Sequence, residues 1–197
     1  MATITYPSTP KPQGMAWRLL MPAQTNVSDW TGRRQTLASG RGWWEAQITF
    51  PPIVGTASIN PWRSFIAKSR GAANDFQVPV DPATPQSSST ATPLVNGAGQ
   101  TGRTLNTDGW PLSTTVLQAG QYVTINNQLL QLTENVTSNG SGVAVLTFEP
   151  PVRVSPADNA AIEFKNPYCL MYLVEEPTLS GEVGYVYSLS LNLRESF

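Results

Sequence analysis

The run from Leu117 to Pro151, LQAGQYVTINNQLLQLTENVTSNGSGVAVLTFEPP, limits the fold more than any other part of the chain, because it holds three strand patterns separated by clusters of Asn, Ser and Gly. Tyr122 to Ile125 stops at Asn126-Asn127, and Leu129 to Thr133 resumes at hairpin spacing. Ser138-Asn139-Gly140-Ser141-Gly142 comes next, and its Asn-Gly pair suits a turn that needs positive φ. Val143 to Glu149 then alternates, with Ala144, Leu146 and Phe148 on one face and Val143, Val145, Thr147 and Glu149 on the other. The pattern predicts a small meander of a β-barrel or sandwich. Nothing in it carries chemistry.

Composition removes several functions. The chain has no histidine, which excludes His-dependent triads and histidine metal sites. Its single cysteine, Cys169, excludes an intrachain disulfide and a multi-cysteine metal site; it lies in an apolar strand pattern and reads as a buried small apolar residue. Carboxylates are scattered: Glu175 and Glu176 are adjacent and point to opposite faces of any strand, so no general acid/base pair emerges. Gly97 to Gly102 matches GxGxxG, but a linker precedes it and Asp108-Gly109-Trp110-Pro111 arrives before any helix, so a dinucleotide loop is not expected. No enzyme activity, cofactor or metal is predicted. No run reaches the ~18–20 apolar residues of a membrane span, and Met1-Ala2-Thr3-Ile4 lacks a signal-peptide pattern, so a soluble, cytoplasmically made product is expected.

Along the chain, Trp43 to Phe50 reads as a strand ended by Pro51-Pro52. A helix is predicted over Asn60 to Arg70, with Asn60 as N-cap, Pro61 at the first position, Trp62, Phe65 and Ile66 as its apolar stripe, and Gly71 as the stop. Phe76 to Val80 reads as a short edge strand because Pro79 interrupts it. DPATPQSSSTATP, Asp81 to Pro93, reads by composition as a linker. Tyr168 to Val174 is apolar on both faces, whereas Gly184 to Leu193 places Tyr185, Tyr187, Leu189, Leu191 and Leu193 on one face only. The expected fold class is mainly β: a discontinuous β-sandwich domain with one short α-helix, from residues 1–87 and 167–197, plus an inserted small OB-like β-barrel over 88–166.

Charge is divided unevenly. Residues 1–70 hold eight bases against Asp29 and Glu45, about +6, and residues 71–197 hold four bases against eleven acids, about −7. That division suits complementary surfaces, within one subunit or between neighbours. Trp30, Arg33, Arg34, Arg41, Trp43 and Trp44 cluster in the basic third and form the candidate subunit interface, since Trp and Arg are over-represented at contact hot spots. Core packing of the tryptophans and a stacking platform for nucleic acid are the alternatives; an acidic chain with only two adjacent arginines argues against specific nucleic-acid binding. Thr107, Asp108, Trp110 and Asn139, on barrel loops, are candidate glycan contacts.

The segment AGQYVTINNQLLQLTENVTSNGSGVAVLTFEPPVRVSPADNAAIEF, preceded by VNGAGQTGRTLNTDGWP, resembles a barrel module of long-tailed bacteriophage tail proteins. Together with GRGWWEAQITFPPI, the helix, FQVPVDP and the C-terminal strand, nearly the whole chain resembles the siphophage distal tail proteins. The resemblance implies a structural virion protein at the tail tip, made in the host cytoplasm. It would be a homohexameric ring, its discontinuous domain forming the ring and its barrel pointing outward. The ring would join the major tail tube protein to the hub or tip protein and leave DNA a passage through its centre. A carbohydrate-binding accessory module contacting host surface glycans is the alternative.

Overall fold

The computed structural model describes residues 2–182 and 184–197, with the backbone alone for Glu182. The first part of the chain forms β1 (Thr3–Ile4), β2 (Gly14–Leu20), β3 (Ala23–Val27), β4 (Arg34–Ala38), β5 (Trp43–Thr49), β6 (Ile53–Val54), helix α1 (Thr56–Ser69) and β7 (Asp75–Pro79). The middle forms β8 (Leu94–Val95), β9 (Gly102–Asp108), β10 (Thr115–Leu117), β11 (Tyr122–Ile125), β12 (Gln128–Leu132), β13 (Val136–Thr137) and β14 (Ala144–Val152). The end supplies β15 (Tyr168–Leu173), β16 (Ser180–Glu182), β17 (Val186–Ser188) and β18 (Ser190–Glu195). The fold is mainly β.

A six-stranded sheet runs β1-β7-β15-β18-β5-β2, so strands from both ends of the chain interleave. Its inner face carries Trp44, Ala46 and Ile48 of β5, Leu191 and Leu193 of β18, and Cys169, Met171 and Leu173 of β15, all buried. Helix α1 packs on it through Ile59, Trp62 and Phe65. Phe65 meets Phe76 edge-on at 4.8 Å and Trp62 at 5.9 Å, an arrangement favoured by the ring quadrupoles. The outer face of β15 is half-buried at Tyr168, Leu170 and Tyr172, so the strand is not covered on both sides as its apolar run predicts. Aromatic bulk there is tolerated because each ring lies partly against its neighbours. Leu189, Leu191 and Leu193 are buried as expected, but Tyr185 is exposed, because the backbone reaches φ 62 there before β17 begins.

The helix begins one turn earlier than its sequence suggests. Gly55 is the N-cap and Pro61 lies within the second turn, exposed, where its missing N–H forfeits one bond to Ala57. The end falls where the composition places it: Arg70 is left-handed (φ 48) and Gly71 follows at φ 65. Phe76 to Val80 becomes β7, which is covered by β1 only opposite Asp75 and Phe76, leaving the edge open at Pro79.

The middle of the chain closes into a barrel. Its sheet runs β11-β12-β14-β9-β8, and residues 160–163 join the two edges through bridges Leu94↔Ala161 and Thr124↔Glu163. Leu105, Leu130, Leu132, Leu146, Phe148 and Phe164 fill it. Asn126 and Asn127 both take positive φ (50 and 63) in the predicted β11–β12 hairpin. In the next turn the positive φ falls on Gly142 (74), not on Asn139-Gly140. A Cβ at Gly142 would lie 2.6 Å from the Trp110 carbonyl, so the close approach selects glycine at that place.

The Pro/Ser segment is fastened rather than free. Asp81 Oδ1 accepts Ala83 N at 2.8 Å, and Gln86 forms a two-way latch: its Nε2 donates to Tyr122 O (2.8 Å) and Phe164 O (3.0 Å), and its Oε1 accepts Tyr122 N (2.8 Å). Composition identifies residues that suit a linker but not the bonds that pin one.

Candidate assembly site: an exposed hairpin arm

Between β2 and β5, two adjacent strands of the large sheet, the chain leaves the body as a separate two-stranded ribbon, β3 and β4. Ala23 pairs with Ala38, Thr25 with Thr36 and Val27 with Arg34. The turn is closed by Ser28 N to Arg33 O (2.9 Å) and Gly32 N to Ser28 O (2.8 Å), with Gly32 at φ 66. Ser28 and Asp29 favour such a turn, Gly32 supplies its left-handed residue, and the threonines and valine flanking it favour strand.

Every residue from Met21 to Arg41 is exposed. Among them are Met21, Val27, Leu37 (71%) and, at the turn, Trp30 at 98% exposure. A lone two-stranded ribbon has no hydrophobic layer to hold it, and an indole in water forfeits its burial energy. Arg33, Arg34 and Arg41 give the ribbon a basic character against the single Asp29. Among the described residues, nothing of the body covers the arm.

The structure separates the six residues of the predicted interface. Trp30, Arg33, Arg34 and Arg41 lie on the arm. Trp43 sits at its root, half-buried, with Arg194 Cζ 4.5 Å from its ring centroid and its Nε1 donating to Glu45 Oε1 at 3.3 Å. Trp44 is a correction: it is 2% exposed, on the inner face, because adjacent strand residues point to opposite sides. Missed by sequence reasoning were the ribbon itself and its apolar residues Met21, Val27 and Leu37. The readable signal was the turn cluster Ser28-Asp29-Trp30-Thr31-Gly32.

The barrel-loop residues also divide. Thr107 and Trp110 are buried and bond one another, Trp110 Nε1 donating to Thr107 Oγ1 at 2.8 Å, so neither can meet a surface glycan. Asp108 is half-buried. Asn139 is exposed, yet its Oδ1 accepts Ser141 N (2.8 Å) and Val143 N (3.0 Å) and serves the turn. Gly97 to Gly102 joins β8 to β9 with no helix after it. Among the described residues no group of three His, Cys, Asp or Glu side chains could hold a metal, and no helix is long and apolar enough to cross a membrane. A groove of about 580 Å³ between residues 3–12 and 77–85 has Lys11 and Asp81 as its charged lining residues.

No protein-family model and no curated protein matches this chain.

Proposed function

We propose that this protein is a structural component of a long-tailed phage tail, forming a closed ring that joins the tail tube to the tip or hub complex. The observation that carries the reading is the arm of residues 21–41, whose apolar and basic side chains are all exposed in a single subunit. An arm of this kind meets a different patch on a second copy, a heterologous contact that closes into a ring when the rotation allows. Trp30 is its anchor and Arg33 and Arg34 its steering charges, attracted by the acid-rich remainder of the neighbouring chain. The resemblance to siphophage distal tail proteins supplies the location and the number of copies, six. Assembly, not catalysis, is the mechanism.

The test is the oligomeric state of the full chain, alone and mixed with tail tube protein, by light scattering. Ring-sized particles are expected for the wild type, and Trp30→Ala/Arg33→Glu/Arg34→Glu should remain monomeric under both conditions. Failure of the wild type to assemble with tube and hub proteins present would overturn the proposal.

A further inference from the structure

The arm joins the body through a break in the ladder. The β2–β5 pairing ends at Leu20↔Trp43 and the β3–β4 pairing starts at Ala23↔Ala38, leaving Met21-Pro22 opposite the four residues Ser39 to Gly42. Two against four is a bulged hinge, with Gly40 at φ 68 and a single crossing bond, Ser39 N to Pro22 O at 3.0 Å. Left to itself, such a joint lets the arm swing.

The barrel occupies this joint. Arg153, just after β14, donates from Nη2 to Gly42 O at 2.7 Å and holds Glu195 by both carboxylate oxygens (2.8 and 2.5 Å). Glu195 Oε2 in turn accepts the backbone N–H of Trp44 at 2.9 Å, so the pair grips both residues that flank Trp43. Pro150 fills the space beside Gly42, where an added Cβ would sit 3.1 Å from the Pro150 Cβ and from Leu20 O. Phe197 covers the guanidinium at 4.4 Å. Gln128 Oε1 accepts Arg153 N at 3.0 Å and ties the strut back into the barrel. The Glu195 side chain is wholly buried and that of Arg153 is 19% exposed. A buried ion pair adds little net stability over apolar residues of the same size, whereas a forked guanidinium fixes three oxygens in one geometry.

We propose that Arg153 is a positioning residue which sets the bearing of the arm relative to the barrel, so that displacement of the barrel is transmitted to the arm's root. This strut acts within one subunit and does not depend on ring formation.

Spin labels at Thr31→Cys on the arm and Glu134→Cys on a barrel turn, in the full-length chain kept monomeric by Trp30→Ala/Arg33→Glu/Arg34→Glu and otherwise wild type, would measure the bearing by pulsed dipolar spectroscopy; the buried Cys169 stays unlabelled. The distance distribution should be single and narrow. In Arg153→Met/Glu195→Gln, which removes both charges together while leaving an acceptor for Trp44 N–H, it should widen at least twofold with the melting still cooperative. An unchanged width in the folded variant, or a distribution already broad in the wild type, overturns the proposal. Should that variant not fold, Arg153→Lys keeps the charge but not the fork, and is read by the same criterion.

Discussion

The indole Nε1 of Trp44 donates to the carbonyl of Leu129 at 2.9 Å, across the boundary between the large sheet and the barrel. Leu129 packs in the sheet's hydrophobic cluster although it lies on barrel strand β12. Tyr122 of β11 meets Trp44 edge-on at 5.7 Å. The two parts therefore share a core at the root of the arm. Trp44→Phe should cost about 1–3 kcal/mol in urea unfolding, from the lost bond and the smaller ring. A loss below about 0.5 kcal/mol would mean that the contact is not maintained in solution.

Phe65→Ala tests the packing of α1. Phe65 is 2% exposed and touches Tyr6, Trp62 and Phe76. Its truncation should destabilise the chain by about 3–5 kcal/mol by equilibrium denaturation. A change under about 1 kcal/mol would place the ring at the surface.

Tyr6 offers a test with the opposite sign. Its hydroxyl is buried and has no hydrogen-bond partner among the described residues, and burial raises its pKa far above the usual 10.0. Tyr6→Phe should therefore leave stability unchanged or raise it by up to about 1 kcal/mol at neutral pH. Above pH 10 the unfolded phenol ionises while the folded one keeps its proton, so the wild type loses stability as pH rises. Cys169 acts likewise from about pH 9, chiefly through burial, with Glu195 raising its pKa further and Arg153 opposing. Denaturation midpoints across pH 7–11 should fall for the wild type and fall less for Tyr6→Phe. Parallel curves for the two would contradict the assignment.

The arm substitutions should separate assembly from folding. Trp30→Ala and the Arg33→Glu/Arg34→Glu pair touch exposed residues only, so each should change monomer stability by less than about 0.5 kcal/mol. Association rates should fall for the charge reversal, most at low salt, where screening is least. A charge reversal that melts the monomer would mean that the arm packs on its own subunit.

Strands with a single buried face were readable at Val143 to Glu149 and Leu189 to Leu193, because burial on one side imposes a period of two, whereas β12 is buried on both faces, Leu129 against the sheet and Leu130 inside the barrel. Helix α1 was found but its start was not, since Asn60-Pro61 looks like a cap while Gly55, a weaker signal, begins the helix. Trp110 shows how a turn aromatic misleads: Gly109 and Pro111 flank it, yet its indole finds Thr107 and enters the barrel. The arm was half legible. Its arginines and Trp30 drew notice, but β3 and β4 lack the apolar alternation that marks a strand, because neither face is buried in the monomer.

The proposed ring is tested most directly by an electron cryomicroscopy reconstruction of a long-tailed phage particle that carries this protein. Expected is a ring of six copies at the end of the tail away from the capsid, with each arm of residues 21–41 seated on the neighbouring copy and Trp30 covered. Density for this chain in the capsid, or a tail-tip ring in which Trp30 still faces solvent, would contradict it.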